Sequence, residues 1–252
     1  WAETAFCGVR VDPKGHAKAG WFQWSKIVGQ TPAYANLKAL TGRAFAYDEV
    51  SLITASSGTS GLAKLCEWPE AAQMCIGRAI GARLSLTAKD TVGIFSPLSG
   101  AAGVLVWLVS GTTPAKFVFP SNYDPSSLLD LTVKSGITVA TTVPVILARL
   151  AQEPLVNYDL TNLRALRVGT AAADMDAAHL FENGAACRVV VAAGSMECPG
   201  FAHADFNENK DTRLSGAIGL PLPGCRIKIV DGDGRQAQDG EIGQLTVSAP
   251  YA

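Results

Sequence analysis

The chain has 252 residues, of which 48% are hydrophobic and 17% charged, and its formal net charge is −1. Such a chain can bury a sizeable core, and its apolar content excludes a disordered polymer. Lys and Arg are scattered rather than clustered, so there is no basic field for nucleic acid or anionic lipid, and the longest apolar stretch, around Val104 to Val109, is far too short for a membrane span.

Residues 1–48 mix Gly, Lys, Trp and Ala without sustained periodicity and read as a partial N-terminal segment of a longer protein. A regular pattern starts after Asp48. Val50 to Thr54 reads as a strand that runs into the loop Ser56-Ser57-Gly58-Thr59-Ser60-Gly61. The next element expected is a helix from Pro69 to about Leu84, because proline suits a first helical turn and Met74, Cys75, Ala79 and Ile80 recur on one face. Further on, strands and helices alternate. Thr91 to Phe95 is strand-like, Ala101 to Val109 a buried helix closed by Ser110-Gly111, and Lys116 to Phe119 a strand. Asp124 caps a helix to Lys134 that Gly136 stops; Thr138 to Thr142 is a strand and Pro144 to Leu150 a helix. Leu163 to Val168 is a strand, Asp174 to Glu182 a helix and Arg188 to Ala192 a strand.

This alternation predicts an α/β fold, a mostly parallel sheet flanked by helices on both faces, and the continuous apolar strands suit a sheet buried on both sides. Past Gly200 the pattern changes. Ile227 to Val230 and Gly243 to Val247 read as two strands joined by turns, a small antiparallel β region. The pattern therefore divides the chain into 1–48, an α/β part over 49–200 and a β part that starts over 201–252.

The six cysteines (Cys7, Cys66, Cys75, Cys187, Cys198 and Cys225) form no CxxC pair and read as buried reduced thiols of a cytoplasmic protein. Of the three histidines, His203 lies near Asp205 and Glu208, as a metal ligand would, but one imidazole in a polar segment reads more simply as a solvated side chain.

The segment richest in chemistry is Ser56-Ser57-Gly58-Thr59-Ser60-Gly61-Leu62-Ala63-Lys64. Its glycines let the backbone curl and aim N–H groups inward, its hydroxyls donate further hydrogen bonds, and Lys64 adds a mobile positive charge. A loop that leaves a strand and precedes a helix is a common setting for anion capture. The spacing is not that of the P-loop, which needs Gly-Lys-Ser/Thr after four intervening residues. Taken alone, the segment reads equally well as a plain Ser/Gly surface loop.

Three later segments favour the phosphate reading. The Ser-Ser-Gly-Thr-Ser-Gly-x-x-Lys string resembles the phosphate loop of the adenylate-forming superfamily, which includes acyl-CoA synthetases, aryl acid–AMP ligases and nonribosomal peptide adenylation domains. Leu163 to Ala172 is similar to that family's strand and Gly-Gly-Ala turn, and Ala193-Gly194-Ser195-Met196-Glu197 to its aromatic-Gly-x-Thr-Glu motif. The run from Gly216 through Gly224, Ile227 to Asp231 and Gly240 to Leu245 is similar to the end of its large domain. Gly-Leu-x-Lys-Leu and Asp159 to Leu163 resemble dihydroxybenzoate–AMP ligases in particular.

The resemblance implies ATP-dependent activation of a carboxylic acid, aromatic or bulky, as its acyl-AMP, followed by transfer to the thiol of coenzyme A or of a carrier protein's phosphopantetheine. On that resemblance Ser56, Ser57, Gly58, Thr59, Ser60 and Gly61 cradle the β- and γ-phosphates of ATP with Lys64. Glu197 binds Mg²⁺. Gly169, Thr170 and Ala171, with Ala192, Ala193, Gly194, Ser195 and Met196, border the adenine and the acyl group. Lys64 and Glu197 are the expected catalytic pair.

Departures from the family pattern accompany these matches. Ala193 replaces an aromatic residue, Met196 a threonine, Thr170 the second glycine of its turn and Ala63 a proline. Pro97-Leu98-Ser99-Gly100 lacks the histidine expected after Pro-Leu. The resemblance also implies a large-domain fragment with the C-terminal domain absent. A competing expectation is a degenerate adenylation-like domain that binds nucleotide, acyl-adenylate or carrier protein without catalysing activation.

Overall fold

The computed structural model describes residues 46, 48–56 and 61–250, together with the backbone of two short strands, β1 (Val11–Asp12) and β2 (Phe22–Gln23). The chain divides into two compact units, Trp1–Ala46 and Tyr47–Ala252. In the first, β1 and β2 pair in parallel. The side chains of residues 1–45 lie outside the described residues, as do Ser57, Gly58, Thr59 and Ser60.

The second unit opens with an antiparallel hairpin, β3 (Val50–Ala55) against β4 (Leu65–Pro69). This corrects the sequence-based expectation at one point. Leu65–Pro69 is a strand, so the Ser/Gly loop is the tip of a hairpin and does not lead directly into a helix. The misreading has a physical cause: Leu65, Cys66, Glu67 and Trp68 alternate exposed and buried over one short run, too few residues to display a period of two. Helix α1 (Glu70–Arg83) follows, with Pro69 at its N-cap. It buries Ala72, Ile76, Gly77, Ala79, Ile80 and Gly81, while Met74 and Cys75 are only half-buried.

A seven-stranded sheet with spatial order β11-β10-β9-β8-β7-β5-β6 forms the centre. β5 (Thr91–Ile94), β6 (Lys116–Val118), β7 (Val139–Thr142), β8 (Ala165–Val168) and β9 (Arg188–Ala193) run parallel. β10 (Ala202–His203) and β11 (Leu220–Pro221) extend it antiparallel. Between them lie α2 (Ala101–Trp107) with a 3₁₀ turn over Leu108–Gly111, then α3 (Pro125–Ser135), α4 (Pro144–Leu150), α5 (Met175–Ala185) and the single turn α6 (Lys210–Arg213). The cap signals act as expected: Asp124 accepts from the Ser127 N–H, Asp174 accepts from the N–H groups of Asp176 and Ala177, and Gly136 ends α3 at φ +60°.

The sheet is covered on both sides. Leu166, Val168, Val189 and Val191 point into one core with Leu128, Ile146, Leu147, Leu150 and Phe181 from α3, α4 and α5. Ala165, Val139, Val190 and Val92 alternate to the other side and meet Ile76, Ile80, Val104, Leu105 and Val109. Alternation along strands buried on both faces explains why the strands read as unbroken apolar runs. β12 (Arg226–Val230) and β13 (Gln244–Ser248) form the separate antiparallel pair expected after Gly200.

Two charged clusters fasten the ends of this frame. Arg164 donates to Asp90 at 3.0 Å and to the carbonyls of Leu84 and Ser85, tying the start of β8 to the end of α1. Burial works to raise the Asp90 pKa, but hydrogen bonds from Arg164, Thr138 and the Thr87 N–H outweigh it and hold the group at about 2. Arg213 on α6 grips both oxygens of Glu182 on α5, at 2.9 and 2.8 Å.

Candidate functional site

In parallel sheets, ligands sit where the strand order reverses, beyond the carboxyl ends of the strands. Here the chain passes from β5 to β6 on one side and then crosses to β7 on the other, so the reversal falls between β5 and β7. Ser96 lies just beyond β5, Val143 just beyond β7, Thr170 beyond β8 and Gly194 beyond β9. All four line one cavity of about 550 Å³, a size ordinary for a small-molecule site. The wall opposite comes from the hairpin: Ala55, Ser56, Leu62 and Lys64. Ser195, Met196 and Glu197 complete that end.

Local geometry explains how the residues reach these places. The hairpin tip is closed at its base, where the Ser56 N–H donates to the Lys64 carbonyl and the Lys64 N–H donates to Ser56 Oγ, both at 2.9 Å. The Ser56 hydroxyl therefore spends an acceptor lone pair on Lys64 and keeps its own proton to donate. Gly61 leaves the loop at φ +152°, a conformation that favours glycine. The helix α1 begins only at Glu70, so no helix terminus follows directly on this hairpin tip.

Glu197 sits in a tight turn after β9. The Cys198 N–H donates to Ser195 Oγ at 3.1 Å and the Ser195 N–H to the Cys198 carbonyl at 3.2 Å. A β-carbon on Gly194 would lie 2.3 Å from the Gly200 nitrogen, so this entry to the turn has no room for a side chain. Lys64 and Glu197 both approach Cys66. Burial raises the pKa of that thiol, the Glu197 charge raises it further, and the Lys64 charge pulls it down.

A smaller cavity of about 300 Å³ lies beside the first and shares Thr170 and Gly194 with it. It is lined by Ala171, Ala192 and Ala193, with Phe201, Gly216 and Ile218. Thr170 stands between the two chambers at φ +80°, where a β-branched residue is strained. Gly169 lines neither cavity. Its missing side chain instead lets β8 approach β9, since a β-carbon there would stand 2.8 Å from the Ala192 carbonyl oxygen.

The structure thus gathers Ser56, Lys64, Thr170, Gly194, Ser195, Met196 and Glu197 around one cavity and Ala171, Ala192 and Ala193 around its neighbour. Motif reading missed Ser96, Ser99, Gly100, Ala101, Ala102 and Val143 in the first. Ser96 and Val143 were within reach of the strand-end rule, once the strand order was known. Ser96 is 2% exposed and its Oγ has no hydrogen-bond partner.

His203 is a second correction. It is not in a polar loop but 1% exposed on β10. Its Nδ1 faces the Ala204 carbonyl at 2.7 Å, and its Nε2 accepts from Arg167 Nε at 3.2 Å. Those partners require a neutral ring with the proton on Nδ1. Among the described residues, no group of three or more His, Cys, Asp or Glu side chains could hold a metal by itself, and no helix is long and apolar enough to cross a membrane. A lone carboxylate does fit magnesium, which keeps waters and takes one or two carboxylates along with substrate phosphates. Glu197, exposed and lining the cavity, presents one such carboxylate there.

A family model described as AMP-binding enzyme matches residues 10–252. The chain belongs to the AMP-binding enzyme family. Relatives of this AMP-binding chain include pyochelin synthase PchD of Pseudomonas aeruginosa (strain UCBPP-PA14), 31% identical over 153 residues, 59% of this chain and 27% of that protein. A second is the 2-hydroxy-7-methoxy-5-methyl-1-naphthoate–CoA ligase of Streptomyces carzinostaticus, 27% identical over 81% of this chain and 37% of that one. The chain therefore spans well under half the length of these curated relatives. Among solved structures, apo MbtA of Mycobacterium smegmatis superposes with a TM-score of 0.79 over 94% of this chain and 43% of that chain, at 23% identity, a likeness of fold.

Proposed function

We propose that the protein to which this chain contributes activates a carboxylic acid with ATP as the acyl-AMP and passes the acyl group to a thiol, of coenzyme A or of a carrier protein. The observation that carries the reading is the meeting of Lys64 and Glu197 at one cavity with Ser56, Thr170 and Ser195, although motifs far apart in the chain supply them. The chemical difficulty is to bring a carboxylate up to a triphosphate. In the proposed reaction a carboxylate oxygen attacks the α-phosphorus and pyrophosphate leaves. Lys64, Ser56 and the loop N–H groups would hold the phosphates and offset their charge, and the strand-end wall from Ser96 to Ala102 would orient the acid. Magnesium held at Glu197 would supply further charge neutralisation on the phosphate oxygens. The smaller chamber beyond Thr170 suits the adenine ring.

The divisions at 49–200 and 201–252 and a cytoplasmic setting belong to the same proposal. A non-catalytic nucleotide- or adenylate-binding domain is the second reading. Ala193 and Met196 favour it, because they offer neither an aromatic face nor a hydroxyl at the site. One assay separates the two. The full-length protein is incubated with ATP, Mg²⁺, labelled pyrophosphate and a panel of aromatic and aliphatic acids. Acid-dependent movement of label into ATP is the expected result. Nucleotide binding without exchange for any acid would replace activation with the binding reading.

A further inference from the structure

The turn bearing Glu197 is held from outside by a side chain that belongs to none of the family motifs. Trp68, on β4, is 2% exposed, and its Nε1–H donates to the Met196 carbonyl at 2.9 Å. An indole nitrogen is only a donor, so burial obliges it to find an acceptor. The acceptor it has found belongs to the peptide group that also contains the Glu197 nitrogen, and because that group is planar, fixing the carbonyl fixes the plane from which Glu197 starts. The Ser195–Cys198 bonds close the two ends of the turn. The bond from Trp68 holds the peptide at its middle.

The tryptophan is itself well placed. β4 is in register with β3 through Leu52 and Trp68, and Gln73 Nε2 donates to the Trp68 carbonyl at 3.2 Å. Lys64 stands four residues before Trp68 on the stretch leading into β4, with Cys66 between them. Along β4, Cys66 and Trp68 are buried while Leu65 and Glu67 are exposed. Successive side chains of a strand alternate in direction, so Lys64 starts from the face that carries Cys66 and Trp68.

We propose that Trp68 is a positioning residue: its indole N–H locks the turn of Glu197 to the strand of Lys64 and so sets the spacing of the two charges that grip magnesium and triphosphate. The inference rests on the roles given to Lys64 and Glu197 above.

The test is calorimetric binding of ATP to the full-length protein across a series of Mg²⁺ concentrations, with AMP as the control ligand. Trp68→Phe keeps an aromatic ring and removes the donor. A site-specific benzothienylalanine at position 68 keeps the indole shape and also removes it, and it decides the matter if the phenylalanine variant does not fold. Either variant should raise the Mg²⁺ concentration for half-maximal ATP binding about tenfold, the equivalent of one ordinary hydrogen bond, and leave AMP affinity unchanged. Glu197→Gln should raise it as well, and adding the position-68 change to Glu197→Gln should do nothing further, because the tryptophan acts through the carboxylate. A magnesium requirement that moves with Glu197→Gln but not with either position-68 change overturns the role of Trp68 alone. Equal losses for AMP and ATP, or an undiminished effect on top of Glu197→Gln, reduce Trp68 to a packing residue. A magnesium requirement indifferent to Glu197→Gln removes the assignment of Glu197, and this inference with it.

Discussion

Thr170 sits at φ +80° on the wall shared by the two chambers, where the related motif has glycine. The left-handed region costs a side-chain-bearing residue about 1–2 kcal/mol. Glycine removes that strain but gives back roughly 0.5–1 kcal/mol of unfolded-chain entropy. Thr170→Gly is therefore expected to stabilise the fold by up to about 1 kcal/mol in chemical denaturation, and to tighten adenosine binding by opening the smaller chamber. Lys64 allows a sharper test. If it holds the outer phosphates, Lys64→Ala weakens ATP binding by roughly 10- to 100-fold, the range for a hydrogen bond between charged groups, and leaves AMP nearly unchanged. Equal losses for the two nucleotides would remove Lys64 from that role. Both residues could be named from the sequence because their motifs are local strings. Ser96 and Trp68 could not, since a serine beyond one strand and a tryptophan in another gain meaning only from what faces them.

At the scale of elements, the longer helices and the parallel strands were legible, whereas β4, β10 and β11 were not. Asp124, Gly136 and Asp174 mark α3 and α5 because capping is a contact between near neighbours in the chain. β4 alternates over too few residues to display a period of two, and β10 and β11 have only two residues each. The single turn α6 escaped for the same reason. It is secured by Arg213, which is 3% exposed and bonds both oxygens of Glu182 and the Val189 carbonyl. Arg213→Met would leave the Glu182 carboxylate half-enclosed without its partner. A loss of roughly 3 kcal/mol is expected, at the low end for breaking a buried pair, and a urea midpoint within experimental error of the parent would count against it. Ala186, which closes α5 at φ +52°, offers the opposite change: Ala186→Gly should raise stability by about 0.5–1 kcal/mol.

For the whole molecule, the buried pair Arg167 and His203 makes stability depend on pH. Burial, and then the charge of Arg167, push the His203 pKa down to about 3. In the unfolded chain a histidine titrates near 6.5. Between those values the unfolded state binds a proton that the folded state refuses. Stability is thus fully present above about pH 6.5 and is lost as pH falls toward 3, by up to about 1.4 kcal/mol per pH unit. Asp90, held at about 2, adds its own loss only below the ordinary carboxylate range. His203→Gln keeps an acceptor for Arg167 and cannot titrate. It should flatten the fall in thermal midpoint between pH 6.5 and 4.5, and an unchanged slope would show that His203 is protonated in the folded state.

The amino-acid sequence by itself determined the α/β alternation, the antiparallel pair at the end, the family and the strings that carry Lys64 and Glu197. Each of these is written in residues close together, where periodicity, capping and loop composition act. Only the tertiary structure decided that the Ser/Gly loop tips a hairpin, that Ser96 and Val143 flank the reversal of strand order, that His203 is buried against Arg167, and that Trp68 reaches Met196. Those facts depend on which distant segments pack together, and free energies of packing are properties of the assembled core that no local string records.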